Sequence, residues 1–477
     1  MNRRSFLQLT SGSTLGILLL PQRLLAASEP QPIFKISLAQ WSLHKTLRAG
    51  RITNLDFPKV AKREFDIDCV EFVDQFFADK SGDRKYLAEL KSRGEDEGVQ
   101  LGLLMLDTNG PLGAADRNTR RQAVDKTKTW MDAAQLLGCH TVRVNARGEG
   151  NGDELRERVA ESCASLADHN PRMNLTIENH GGLSSDPDWL ISVMRAVDKP
   201  NFGTLPDFGN FPSEINRYEA VEQLLPFAKA VSAKATEYSD DGKVTDTDFV
   251  RMMRLVRDAG YHGHVGVESV GRRQEDEAQA IRVTRDHLRQ IRESQSRCQP
   301  IFNGRNLDGW SIREGGDWTV EDGVLIGRNG GGWSHNAEKS GTWLSTNRQY
   351  EDFRLEFQYA INKGGNSGVF FRSSHERNPA FNGYEFQLHD AAGQPPSKHG
   401  PAAIYDLAAP TRNLVRPARQ WNTVTLVAKG SDISAEMNGE KVLQASLDQF
   451  KKGYIGLQIH DDSSEVKFKN VRLEPFS

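Results

Sequence analysis

Only four cysteines occur in 477 residues, no stretch is dominated by one charge sign, and beyond the first thirty residues no apolar run could cross a bilayer. The spacing of Cys69, Cys139, Cys163 and Cys298 matches no metal motif, which argues against a zinc module. Cys69 and Cys139 lie in apolar, strand-like stretches where cysteine serves as a small core residue, so the four are expected to be free thiols. Lys+Arg number 61 against Asp+Glu 64, a net charge of −3, with no basic face for nucleic acid. No internal repeat is evident. What the chain does have is length for two or three domains, 37% hydrophobic residues and 42 glycines, enough for real cores joined by many turns.

Residues 1–30 read as an export signal rather than as part of the fold. Asn2-Arg3-Arg4-Ser5-Phe6-Leu7-Gln8 precedes a mostly apolar run from Leu9 to Leu20, then Ala26-Ala27 and a polar Ser28-Glu29-Pro30. The paired arginines resemble a twin-arginine signal, which implies a periplasmic or otherwise exported protein with no stable membrane insertion once the signal is removed.

Residues 31–295 alternate short apolar strands with longer amphipathic helical stretches. Strands are expected at 36–41, 68–73, 99–105, 141–145, 175–179, 203–207, 230–234 and 264–268, with helices through Phe57–Glu64 and Arg117–Leu137. Eight such units predict a (β/α)₈ barrel. The pattern changes across Arg292–Pro300. From 299 to 477 the residues alternate in polarity between Gly- and Asn-rich turns, with Asn438-Gly439 as a hairpin signal, which predicts an all-β antiparallel jelly-roll sandwich.

Glu178, Asp207 and Glu268 stand at or near the ends of the fifth, sixth and eighth expected strands, separated by about one and two barrel units. They should therefore converge on the rim where such barrels place their sites. Three converging carboxylates repel one another, and a hard divalent cation removes that cost. Trp41, His44, Glu71, Arg143 and Asn145 lie at or near other strand ends and are candidate substrate contacts. His180 and Lys234 are candidates, with Glu178 and Glu268, for moving a proton or holding an oxyanion.

Ile177-Glu178-Asn179-His180-Gly181-Gly182, Pro206-Asp207-Phe208-Gly209-Asn210 and Gly266-Val267-Glu268-Ser269 resemble the xylose isomerase-like sugar isomerase and epimerase barrels. That resemblance implies a divalent metal ion (Mn, Mg, Zn or Co) on Glu178, Asp207 and Glu268. Its usual histidine ligand is missing: Ser232 stands at the expected place in the seventh strand, with water or Glu237 left to complete the set.

Ile301–Trp310, Gly365–Arg372, Tyr384–Gln387, Ala403–Leu407, Trp421-Asn422 and Gly453–His460 resemble, in order, the 3-keto-disaccharide hydrolase domain family, a concanavalin-like jelly roll. Along its strands Arg372, Glu385 and Gln387 are spaced to line one face that can bind sugar hydroxyls, with Tyr384 or Trp333 nearby, whereas Arg354 and Lys467 read as a solvated face. Together the two resemblances imply a carbohydrate enzyme that removes a proton beside a sugar carbonyl, with 3-keto-glycosides as substrates and net hydrolysis by elimination and hydration. Two alternatives remain at this stage: a sugar isomerase or epimerase whose sandwich binds glycan, and a periplasmic carbohydrate-binding protein without catalysis. Oligomeric state is left open.

Overall fold

The computed structural model describes residues 33–239, 243–333 and 338–476. The export signal expected at 1–30 lies outside these. Among the described residues no helix is long and apolar enough to cross a membrane.

Eight parallel strands form the first half: β1 (Lys35–Ala39), β2 (Cys69–Val73), β3 (Gln100–Met105), β4 (Thr141–Val144), β5 (Asn174–Glu178), β6 (Phe202–Leu205), β7 (Val231–Ala235) and β8 (His264–Ser269). They pair in the order β6-β5-β4-β3-β2-β1-β8-β7. Closure between β6 and β7 comes from isolated bridges, Thr204 to Ala228 and Asp207 to Ser232. Pro206 lacks the N–H that would continue the ladder, so β6 stops at Leu205 instead of the expected 207. Likewise β1 ends at Ala39, and Gln40–Leu43 turns as a 3₁₀ helix.

Alternation along each strand divides the side chains. Val70, Phe72, Val142, Val144, Ile177, Val231, Ala233, Val265 and Val267 face outward into the core shared with the helices. Ala39, Val73, Leu103, Met105, Leu205 and Ala230 form a smaller cluster inside the barrel. The helices start and stop where local chemistry requires: the Asp116 carboxylate accepts the Thr119 N–H and opens Arg117–Leu137.

After the helix Glu277–Arg297 the described chain is helix-free. Trp310–Arg313, Thr342–Tyr350, Gly453–Ile459, Asn366–Ser373 and Tyr384–His389 make a five-stranded antiparallel sheet. The facing sheet runs Asp317–Glu321, Val324–Arg328, Val466–Pro475, Phe353–Ile361, Asn422–Lys429, Asp432–Met437 and Glu440–Ser446, with Gln299–Pro300 paired to Val466–Pro475. Asn438-Gly439 does form the turn between the last two strands. Phe353, Leu355, Phe357, Phe371, Phe386, Leu426 and Leu457 fill the space between the sheets. All four cysteines are buried free thiols.

Barrel and sandwich meet through buried charge. Arg257 lies 2.7 Å and Arg254 3.8 Å from Glu356, and Arg354 pairs with the same carboxylate. Burial raises the Glu356 carboxyl, but Arg257, Arg254 and Arg354 outweigh that and hold it at about 2. Arg354 therefore belongs to the seam, not to the solvated face expected for it.

Candidate active site

The three acids expected at the barrel rim do come together. Ligand atoms of Glu178, Asp207 and Glu268 lie within 4.8 Å of one another, and all three side chains are buried. Glu178 ends β5, Glu268 is the penultimate residue of β8, and Asp207 is placed by the turn after Pro206. Asn179 fixes that turn: its side chain accepts the Asp207 N–H at 2.7 Å and donates to the Asp207 carbonyl at 3.0 Å.

Hydrogen bonds hold one oxygen of Glu178, one of Asp207 and both of Glu268. Glu178 Oε1 accepts Asn210 Nδ2 at 3.0 Å, Asp207 Oδ1 accepts the Gly209 and Asn210 N–H groups at 2.8 Å, and Glu268 Oε1 accepts Lys234 Nζ at 2.7 Å. Asp207 Oδ2 is buried with no hydrogen bond, and Glu178 Oε2 has none either, although Arg143 Nε stands 2.8 Å away as an ion pair. Glu268 Oε2 takes only the Ser232 hydroxyl, at 3.1 Å. A buried acceptor without a donor costs about 1–3 kcal/mol, and a divalent cation among these oxygens would remove that cost. The donor set fits a metal ion.

Electrostatics agree. Burial pushes the Asp207 and Glu178 carboxyls up, with Lys234 and Arg143 only partly opposing it. Burial also acts on Glu268, but Lys234, Arg143 and Ser232 outweigh it and hold that carboxyl below the usual range. For Lys234 itself, burial is outweighed by Glu268, Asp207 and Glu178, which keep the ammonium charged.

Above the cluster opens a cavity of about 410 Å³, lined by Trp41, Gln75, Asp107, Arg143, Arg147, His180, Lys234 and the two glutamates. Burial and the neighbouring Arg143 lower the His180 pKa, which favours the neutral imidazole. Asp107 binds Arg143 at 2.8 Å and Asn145 at 2.9 Å; burial raises its carboxyl, but these partners hold it at about 2. Asp107, Gln75, Arg147, Asn179 and Asn210 were not among the sequence candidates. Asp107 carried a readable signal, since it follows β3 by two residues just as Asp207 follows β6.

Three barrel candidates have other roles than the expected contact with substrate. His44 does not line the cavity: it stacks on Trp41 with 4.6 Å between ring centroids and faces Glu277 at 3.6 Å. Asn145 is buried and serves Asp107. Glu71 points into the barrel, where it accepts the Ser37 hydroxyl at 2.5 Å in the space left by Gly266, whose Cβ would stand 2.7 Å from its carboxylate. Its position, inside β2 and not at its end, explains the miss; burial pushes it up to about 7. Glu237 is exposed and outside the cavity lining.

In the sandwich, Glu385 and Gln387 share the face of their strand that Tyr384, Phe386 and Leu388 turn away from, because those three fill the core. Gly368 lies opposite Gln387, and a Cβ there would meet Glu385 Oε1 at 2.2 Å, so glycine is what admits the carboxyl. Burial pushes Glu385 up to about 8, with Gln458 as its partner. Gln387 donates to Asn366 at 2.9 Å, while its own carbonyl and that of Gln458 are buried without a donor. Arg372, by contrast, is no sugar ligand. Register breaks between Phe370 and Ser373, Arg372 adopts φ 51°, and its guanidinium donates to the Glu351, Gly430 and Phe450 carbonyls and to Asp352 at 2.7–3.2 Å.

Comparison with known proteins places these two halves. Residues 60–291 match the family described as xylose isomerase-like TIM barrel, and residues 297–474 match the 3-keto-alpha-glucoside-1,2-lyase-like domain. A 3-keto-disaccharide hydrolase of Bacteroides thetaiotaomicron is 24% identical over 225 residues, covering 36% of this chain and 77% of that protein. A xylose isomerase domain protein from Planctomyces limnophilus is 16% identical, covering 57% of this chain and all of its own, with a TM-score of 0.43. The apo 3-keto-D-glucoside 4-epimerase of E. coli is 17% identical, covering 55% of this chain and 99% of its own, with a TM-score of 0.41. The chain is thus a xylose isomerase-like TIM barrel followed by a 3-keto-alpha-glucoside-1,2-lyase-like domain.

Proposed function

We propose that this protein is an exported carbohydrate-active enzyme that cleaves or rearranges 3-keto-glycosides by removing the proton next to the keto group. The observation that carries the proposal is the rim of the barrel. The buried Glu178 and Glu268, the cations Arg143 and Lys234 and the His180 imidazole line one cavity large enough for a sugar, and Asp207 is buried beside the two glutamates. The 3-keto-disaccharide hydrolase relative and the matched sandwich family supply the substrate class.

Glu178, Asp207 and Glu268 would hold a divalent metal ion, which when bound polarises a carbonyl and an adjacent hydroxyl as a Lewis acid. His180, neutral and facing the cavity, accepts the C2 proton. The electron pair of that C–H bond moves toward the C3 carbonyl, and Lys234 and Arg143 offset the charge that develops on its oxygen. Expulsion of the C1 substituent then leaves a C1–C2 double bond, the departing oxygen regaining a proton from His180 imidazolium. Addition of water across that bond completes net hydrolysis. Lys234 is a fixed charge here, not the base, because its carboxylate neighbours keep it protonated. Asn2-Arg3-Arg4 and the apolar run after it support export by the twin-arginine route.

Incubation with a 3-keto-disaccharide, followed by mass spectrometry, should show released monosaccharide, abolished in Glu178→Gln. Isomerisation of a free aldose by a protein that leaves the 3-keto-glycoside intact would overturn the reading.

A further inference from the structure

A second cavity, of about 390 Å³, adjoins the one over the carboxylates, and the two share a single lining residue, His180. Its walls are two turns, one after β5 and one after β6. In the first, Gly181 and Gly182 have positive φ, 86° and 58°, and no heavy atom lies within 4 Å of where a Cβ would stand on either. That wall is bare backbone, as glycine alone allows without strain. Ser185, 2% exposed, pins the two turns together: its hydroxyl accepts the Gly181 N–H at 2.9 Å and donates to the Asn210 carbonyl at 2.6 Å. The Asn210 side chain in turn holds Glu178 at 3.0 Å, which fixes the second cavity relative to the first. The two differ in charge. Asp107, Arg143, Arg147, Glu178, Lys234 and Glu268 line the first, whereas among the described residues no Lys, Arg, Asp or Glu lines the second.

From this we infer that the second cavity is the subsite for the substituent at C1, and that it takes an uncharged ring, either a second sugar or a phenol. The inference rests on the elimination proposed above, in which that substituent is the leaving group. A glycoside has two parts joined at C1, and an enzyme that parts them must hold both until the bond breaks. The reacting sugar fills the charged cavity, so its C1 substituent passes His180 into the uncharged one. A reaction confined to one monosaccharide has no use for this second space. Phe211 and Pro212 give the subsite apolar surface, and its serine hydroxyl is already engaged by the two turns. A carboxylate or phosphate placed there would lose water without meeting a cation, so the site selects against charged leaving groups.

The test is binding of glucosides that carry no keto group and are therefore not eliminated. The full chain is titrated by calorimetry with methyl glucoside, phenyl glucoside, a carboxyphenyl glucoside and a glucosyl-glucose disaccharide. A ring in the second cavity is expected to bind about tenfold more tightly than methyl, from the apolar surface it covers. Whichever of the phenyl glucoside and the disaccharide gains identifies the leaving group, and a gain by neither overturns the inference. The carboxyphenyl glucoside is expected to bind more weakly than the phenyl one, and equal or tighter binding would refute an uncharged subsite. Gly182→Asn puts a side chain into the cavity, and Asn is among the residues that best tolerate a positive φ. It is expected to bring the ring-bearing glucosides down to the level of methyl glucoside. An unchanged ratio in the folded variant would place the ring elsewhere and overturn the assignment, while the wild-type titrations stand whether or not the variant folds. None of these readouts requires turnover, so a wrong reaction shows itself separately, as a 3-keto-glycoside left intact.

Discussion

Lys234 and Glu268 stand directly opposite each other in β7 and β8, and the ammonium lies 2.7 Å from the carboxylate at the floor of the cavity. The stem of Lys234 lies against Gly209, where a Cβ would come within 3.0 Å of Cδ, so the turn that carries Asp207 also guides the lysine. Lys234→Met keeps the stem and removes the charge. Turnover of a 3-keto-glycoside should fall by about 10²–10³-fold in kcat, as for loss of one group that stabilises a developing oxyanion. Steady-state kinetics check it, and a rise in KM with kcat unchanged would refute the role.

Arg372 makes a different prediction because its partners are structural. It is 1% exposed and ties three backbone carbonyls and Asp352 together at one end of the sandwich. Arg372→Ala should destabilise the protein by about 3–5 kcal/mol, since the three carbonyls lose this donor and Asp352 loses its counter-charge. Chemical denaturation measures this, while KM for the sugar in the surviving folded protein should not change.

Glu385 gives the sandwich a pH dependence. Its carboxyl titrates near 8 when folded and in the ordinary carboxylate range when unfolded, so the folded state holds the extra proton between those values. The stability this provides is fully present below the unfolded value and is lost as pH rises to about 8, with a slope of about 1.4 kcal/mol per pH unit for one proton. Glu385→Gln should flatten the fall between pH 5 and 8 in urea melts by that amount. Equal slopes in both proteins would show that Glu385 is ionised in the fold.

The Glu356 cluster predicts how the halves unfold. Three arginines, two of them from the barrel helix Phe249–Asp258, converge on this one carboxylate of the sandwich. Glu356→Ala removes the carboxylate the three guanidinium groups share and leaves them only Asp258, Glu436 and Glu474, a loss of about 3–5 kcal/mol concentrated at the seam. Calorimetry should then resolve two transitions where the wild type shows one.

The sequence alone determined the two periodicities and therefore the two folds. Strand–helix units set the barrel, and alternation between turns set the sandwich, because hydrophobic period follows directly from backbone geometry. It also placed Glu178, Asp207 and Glu268 on one rim, since residues at the ends of parallel strands share a level whatever the helices between them do. Three-dimensional detail decided the rest. Glu71 lies inside β2 and His44 beyond the end of β1; one points down the barrel and the other leans on Glu277, and side-chain direction is not written in spacing. Arg372 looked like a face residue until a break in register and a left-handed φ turned it away. Which oxygens of these carboxylates are tied depends on donors that come from two separate segments, the turn after β6 and strand β7. Only the folded chain brings Asn210, Gly209, Lys234 and Ser232 to the same few ångströms.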